Sequence, residues 1–271
     1  ILGSIQNTLY WDQNTGMPKK GASWRSEQLT YIAKILHRRN SSEEFSNLIQ
    51  SAKNELLDTE QNSNNQLFIR GKERNINLLI KEFNRAKNLD PKLVESLAKA
   101  KSKGYESWQE AKKKSDFKVF LPFFEELVKL RIEEAKQISD QYSPWETLAQ
   151  PFEPEITLKW LNKMFQPLKD TLPELIKGIS KSKKYHWDLS PESQQNLCSK
   201  LLDEFGRDKD LVVVGKSPHP FSITLGPNDY RITTRIVLGE PLSSFLATAH
   251  EWGHSIYEQG LPSQSHQWFA W

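Results

Sequence analysis

A mainly α-helical fold with one small β-sheet follows from three features of the sequence. Apolar residues recur at helical spacing through most of the first 210 positions. Cap residues and breakers sit where those stretches start and stop. One run near residue 230 alternates strictly and is built of β-formers.

Each element has its own local reason. Residues 24–38 carry Trp24, Leu29, Ile32, Ala33, Ile35 and Leu36 among polar residues, close to one helical face. Residues 64–88 repeat the pattern with Leu67, Ile69, Ile76, Leu78, Leu79, Ile80 and Phe83. Asn88-Leu89-Asp90-Pro91 breaks it, and Asp90 before Pro91 starts a new helix. Gly104 is expected to end that helix just after Lys103. A long helix follows Pro122 through Phe123, Leu127, Leu130, Ile132 and Ala135. Tyr142-Ser143-Pro144 reads as a break. Thr157 is placed as the cap of a helix carrying Leu158, Leu161, Met164, Phe165 and Leu168, and a separate helix is expected over 172–180. Ser190 and Pro191 start another. From residue 211 the texture changes. Leu211 to Val214 is apolar and β-branched, and 215–220 is a loop. Tyr230 to Leu238 alternates, with Tyr230, Ile232, Thr234, Ile236 and Leu238 on one face and Arg231, Thr233, Arg235 and Val237 on the other. The last helix runs from about Leu242 to Gln259, with Gly260 as its C-cap.

Composition narrows the function classes. The chain has 271 residues, 37 Lys+Arg against 34 Asp+Glu, and 13 Phe, 9 Trp and 7 Tyr. The surplus of three positive charges is too small to imply a polyanionic partner. Lys112-Lys113-Lys114 and Lys181-Ser182-Lys183-Lys184 read as solvated helix faces or ends, so no nucleic acid is expected. The longest apolar runs are a few residues, far short of the ~18 that a span needs, so no membrane is expected either. A single cysteine, Cys198, excludes an internal disulfide framework and fits a reducing, cytoplasmic compartment. The first residues lack the pattern of a signal peptide. The start at Ile1 and the aromatic end at Trp268-Phe269-Ala270-Trp271 lead us to expect a fragment of a longer protein.

Chemistry is concentrated in His250-Glu251-Trp252-Gly253-His254, an H-E-x-x-H sequence. Four residues are slightly more than one helical turn, so both imidazoles stand on one face with Cβ atoms roughly 6 Å apart. Two imidazoles so placed can reach one zinc at ~2.1 Å. Glu251 is turned about 100° from His250 and lies beside the metal, where it can move a proton between water and a leaving amine. Ala247, Ala249 and Gly253 surround the histidines. Gly253 costs about 1 kcal/mol in a helix and leaves room for another backbone or a substrate.

A zinc site of this kind needs a third protein ligand. A histidine six residues after His254 is excluded, because position 260 is Gly260. Glu258 is one turn on along the same helix and suits the outer shell of the site better than the metal. His266 sits in a Ser/Gln-rich stretch and is a weaker candidate. The simplest reading puts the third ligand beyond Trp271.

The neighbouring motifs carry a resemblance. Ser217-Pro218-His219-Pro220-Phe221, Asp229-Tyr230-Arg231-Ile232-Thr233-Thr234-Arg235, and the H-E-x-x-H run into Tyr257-Glu258-Gln259-Gly260-Leu261-Pro262 resemble the Taq-type thermostable metallocarboxypeptidases. That family carries H-P-F, D-x-R-x-T and H-E-x-x-H in this order. Tyr10-Trp11-Asp12-Gln13 with Met17-Pro18, and Trp108-Gln109-Glu110-Ala111 with Asp116-Phe117, look like its earlier motifs. The resemblance implies a helical zinc-peptidase fold with a small sheet beside the zinc helix. It implies release of single C-terminal residues from peptides, and a homodimer for the full-length protein. It implies zinc, with cobalt or manganese as substitutes, and a third ligand from a Glu in a later His-Glu-Ser motif. Carried over by residue, His250 and His254 are metal ligands, Glu251 is the catalytic base and acid, and His219, Arg231 and Thr233 are substrate-binding. For Arg231 the sequence also allows an ion pair with Asp229 or Glu240, and for His219 a backbone-bonded loop position. Residues 1–210 are expected to wall a substrate groove, and 211–271 to begin a truncated catalytic core. Other expectations remain open: a gluzincin-type endo- or aminopeptidase, or a catalytically incomplete fragment or pseudo-enzyme that binds peptide or a partner.

Overall fold

Helix-forming stretches in the first 210 residues pack on one another, and a three-stranded sheet follows. The structure is a computed structural model that describes residues 1–60, 66–179 and 188–261, with backbone alone for 58–60 and 66–68. Among the described residues the helices are α1 (Leu2–Thr15), α2 (Ala22–Asn40), α3 (Glu43–Glu60), α4 (Gln66–Lys87), α5 (Pro91–Lys114), α6 (Leu121–Ile138), α7 (Pro144–Ala149), α8 (Leu158–Gly178), α9 (Pro191–Glu204) and α10 (Pro241–Gln259). The strands are β1 (Val212–Lys216), β2 (Ser222–Gly226) and β3 (Asp229–Thr234). None of these helices is long and apolar enough to cross a membrane. The charge run at 181–184, His266 and the aromatic end at 268–271 lie outside the described residues.

The caps act where their chemistry places them. Asp90 accepts from the Lys92 N–H with Pro91 at the first helical position of α5. Ser190 does the same for Ser193 at the start of α9. Thr157 caps α8 through the Trp160 N–H. The break expected at 142–144 is itself a helix start: Ser143 and Glu146 form a capping box that opens α7.

Three local expectations need correction. Gly104 does not end a helix; α5 runs through it to Lys114. A Cβ there would meet Leu127 Cδ1 of α6 at 2.9 Å, so the glycine serves close helix packing. The two helices expected on either side of residue 170 are one, α8, which continues through Pro167 and Pro173. β3 stops at Thr234 rather than Leu238. There the Val237 N–H donates to Ser244 Oγ and its carbonyl accepts from Gln194 Nε2, so neither is available to a ladder. Helices α1 and α3, and the strand β2, were not read from the sequence.

The sheet order is β1-β3-β2, with β1 parallel and β2 antiparallel to β3. Register pairs Val214 with Ile232 and Ile223 with Arg231. One face packs on α9 and α10 through Leu202, Val212, Tyr230, Ile232 and Trp252. The other carries α1: Trp11 lies on Gly215, where a Cβ would meet the indole at 2.9 Å. A second core joins α3 and α4 through Ile49, Leu56, Ile69 and Ile76.

Candidate metal centre and substrate cleft

Helix α10 splits into two sides. Pro241, Ser244, Thr248, Glu251, Trp252 and Ser255 are buried against the sheet and α9, at the three- and four-residue spacing of one helical face. Thr248 Oγ1 lies 2.7 Å from Thr234 Oγ1 of β3, and Ser244 Oγ donates to Gln194 Oε1 of α9. These buried bonds fix the rotation of α10 about its axis. His250 and His254 are thereby held on the open side, and Glu251 on its margin.

The two imidazoles converge. His250 Nε2 and His254 Nε2 are 3.2 Å apart, with the rings nearly perpendicular and their centroids 4.8 Å apart. Two nitrogens each ~2.1 Å from one ion must stand about 3.2–3.4 Å apart for an angle near tetrahedral. The pair therefore fits a shared divalent ion through two ligands. Among the described residues no group of three His, Cys, Asp or Glu is arranged to hold a metal. A Cβ built at Gly253 would meet nothing within 4 Å, so no close backbone among the described residues explains that glycine.

Glu251 is only 7% exposed. Burial pushes its carboxyl up from the ordinary glutamate range, while positive charge on His250, His254 and His219 pulls the other way. A carboxyl moved upward binds a proton more readily than one in free solution.

Glu251, His254 and Glu258 open onto a cleft of about 810 Å³. Its opposite wall is His219, Pro220 and Phe221 with strand β2, and the first turns of α1 close one end through Ser4 and Asn7. Asn7 Nδ2 donates to the Thr224 carbonyl at 2.9 Å, tying α1 to β2 across 217 residues of sequence.

The loop carrying His219 is held by buried hydroxyls. Ser217 Oγ donates to the His219 carbonyl at 2.5 Å, and lies 2.7 Å from Thr233 Oγ1. Since the single Ser217 proton goes to His219, Thr233 donates to Ser217. Thr233 in turn accepts from the Phe221 N–H at 2.9 Å, and its own N–H donates to the Phe221 carbonyl at 2.8 Å. The Phe221 ring stands edge-on to Tyr10 and Trp11.

The structure thus brings together four of the six residues singled out in the sequence: His219, His250, Glu251 and His254. The other two stand elsewhere. Thr233 is 0% exposed and meets the loop from behind. Arg231 pairs with both oxygens of Asp229, at 2.8 and 3.0 Å, and lies over the Trp11 ring. Neither lines the cleft. In this structure both residues brace the cleft wall. Ser217, Asn7 and β2 were not singled out. Ser217 had a signal, its place two residues before His219, but Asn7 meets β2 only through tertiary structure.

The carboxypeptidase Taq (M32) metallopeptidase family matches residues 1–270. The chain is similar to thermostable carboxypeptidase 1 of Thermus thermophilus, 28% identical over 278 residues, covering 97% of this chain and 53% of that protein. Carboxypeptidase 1 of Bacillus subtilis is 29% identical over 259 residues, covering 93% of this chain and 50% of that protein. A solved structure described as the BsuCP crystal structure superposes with a TM-score of 0.87 at 27% identity, over 97% of this chain and 52% of that one. The chain spans about half the length of the curated relatives it matches.

Proposed function

Because the chain belongs to the carboxypeptidase Taq (M32) metallopeptidase family, we propose that it carries the two metal-binding histidines and the proton-transferring glutamate of a metal-dependent carboxypeptidase. The enzyme releases single C-terminal amino acids from peptides, with broad preference. One observation carries this reading: the His250 and His254 nitrogens converge to 3.2 Å beside a buried Glu251 that opens onto a cleft.

We assign zinc to the pair, with cobalt or manganese able to replace it, and a third ligand, a Glu, from outside the described residues. The ion, when bound, supplies polarisation of the scissile carbonyl and a water acidic enough to attack it. Glu251 takes the proton of the attacking water and hands it to the departing amine. His219 faces the same space from the far wall and meets the bound peptide there. Ile223 and Phe221 offer apolar surface to the peptide's side chains. The full-length protein is a homodimer of the cytoplasm in this reading, and neither a nucleic acid nor a membrane is a partner.

The test is mass spectrometry of a mixed peptide pool incubated with zinc and the chain, beside an E251Q control. Peptides shortened one residue at a time from the C-terminus, only with Glu251 present, are the expected product. Internal fragments or N-terminal ladders would overturn the carboxypeptidase assignment. A second reading is favoured by the finding of only two converging ligands among the described residues: the chain alone binds peptide without cutting it. A pool that binds but stays intact would assign that role.

A further inference from the structure

The loop after α9 holds a guanidinium that the metal centre does not use. Arg207 follows Gly206, whose φ of 79° turns the chain back toward the helix. Its side chain is 9% exposed. Nη2 donates to Asp203 Oδ1 at 2.6 Å and to Ser199 Oγ at 3.1 Å. The buried Nε–H meets no acceptor. A buried donor on a charged group without an acceptor is unusual.

The same side chain lines a cavity of about 310 Å³ between α9 and β1, the edge strand among the described residues, with Gln195, Ser199, Lys209, Lys216 and Thr234. No carboxylate lines it. Asp203, just outside, is 3.1 Å from Lys209 and neutralises one of the three cations. Lys216 makes no ion pair among the described residues. Two positive charges are left over. Ser199 accepts from Arg207 and keeps its own proton to give. The catalytic cleft lies along β2, the opposite edge of the sheet, so this is a separate place.

We propose that this cavity binds a small oxyanion, a phosphate or a carboxylate, with the Arg207 guanidinium as its buried donor group and Lys216 and Lys209 at its solvent side. Guanidinium is the group best matched to such an ion, because it offers parallel N–H donors in one plane.

The test is calorimetric titration of the chain with inorganic phosphate, and separately with acetate, at ionic strength held constant with chloride. One site is expected. Arg207→Lys keeps the charge but loses the planar guanidinium, and should weaken binding at least tenfold. Lys216→Gln breaks no ion pair, so the fold is retained, and should weaken it at least threefold. Lys163→Gln, on α8, should leave it unchanged. Stronger binding of phosphate would assign a phosphate as the natural ligand, and stronger binding of acetate a carboxylate. Binding equal in the parent chain and in both Arg207→Lys and Lys216→Gln would overturn the proposal, as would the absence of heat with either anion.

Discussion

Thr233 is bonded through its hydroxyl to Ser217 and to the Phe221 N–H while exposing none of its surface. Thr233→Val keeps the shape and removes both bonds, leaving the Phe221 N–H without its acceptor and Ser217 Oγ without its donor. The expected loss is about 1–3 kcal/mol, read by denaturant unfolding, and Thr233→Ser should recover most of it. Arg231 presents the opposite case. Its pair with Asp229 is part exposed, so Arg231→Gln should cost no more than about 1 kcal/mol. With Arg231 away from the cleft, KM of the full-length enzyme should stay unchanged in that variant. A rise in KM would restore the substrate contact. His250, Glu251 and His254 were legible from sequence because helical spacing alone sets their mutual placement. The work of Thr233 was not, since its partners lie 12 and 16 residues away and are met only when β3 passes behind the loop.

At the scale of elements, helix starts were legible and helix ends less so. A cap such as Asp90 or Ser190 acts on residues beside it in sequence, whereas Gly104 and the end of β3 answer to neighbours from elsewhere. Gly215 shows the same dependence. Gly215→Ala would press a methyl against the Trp11 ring and Thr15, and should destabilise by about 1–3 kcal/mol in thermal or urea unfolding. The joint of α7 and α8 has a pH signature. Glu146 accepts from Ser143 and from the Leu158 N–H, and these bonds hold its carboxyl below the ordinary glutamate range. A depressed folded-state pKa means stability that is present above the unfolded value, near 4.3, and is lost as pH falls through the folded one. Glu146→Gln should therefore lower the melting temperature at pH 7, and the difference from the parent chain should shrink toward pH 3.

The whole molecule places its site at a junction that sequence order conceals. Helix α1 returns to β2 from the far end of the chain, and α9 and α10 close the other face of the sheet. The fold class was legible because periodicity is local. The cleft was not, because its walls come from residues 1–7, 219–227 and 251–258. Outward faces of α8 and α10 carry exposed apolar residues, among them Trp160, Leu172, Ile176, Leu246 and Tyr257. Such surface is unusual for a monomer and should bind a hydrophobic dye strongly at native pH, by fluorescence titration. The central claim is that His250 and His254 share one divalent ion. Equilibrium dialysis against zinc, with the bound metal counted per chain, tests it most directly. One ion per chain is predicted, retained in Glu251→Gln and lost in His250→Ala and in His254→Ala. Zinc held equally by the parent chain and both alanine variants, or no zinc held by the parent at large excess, would contradict it.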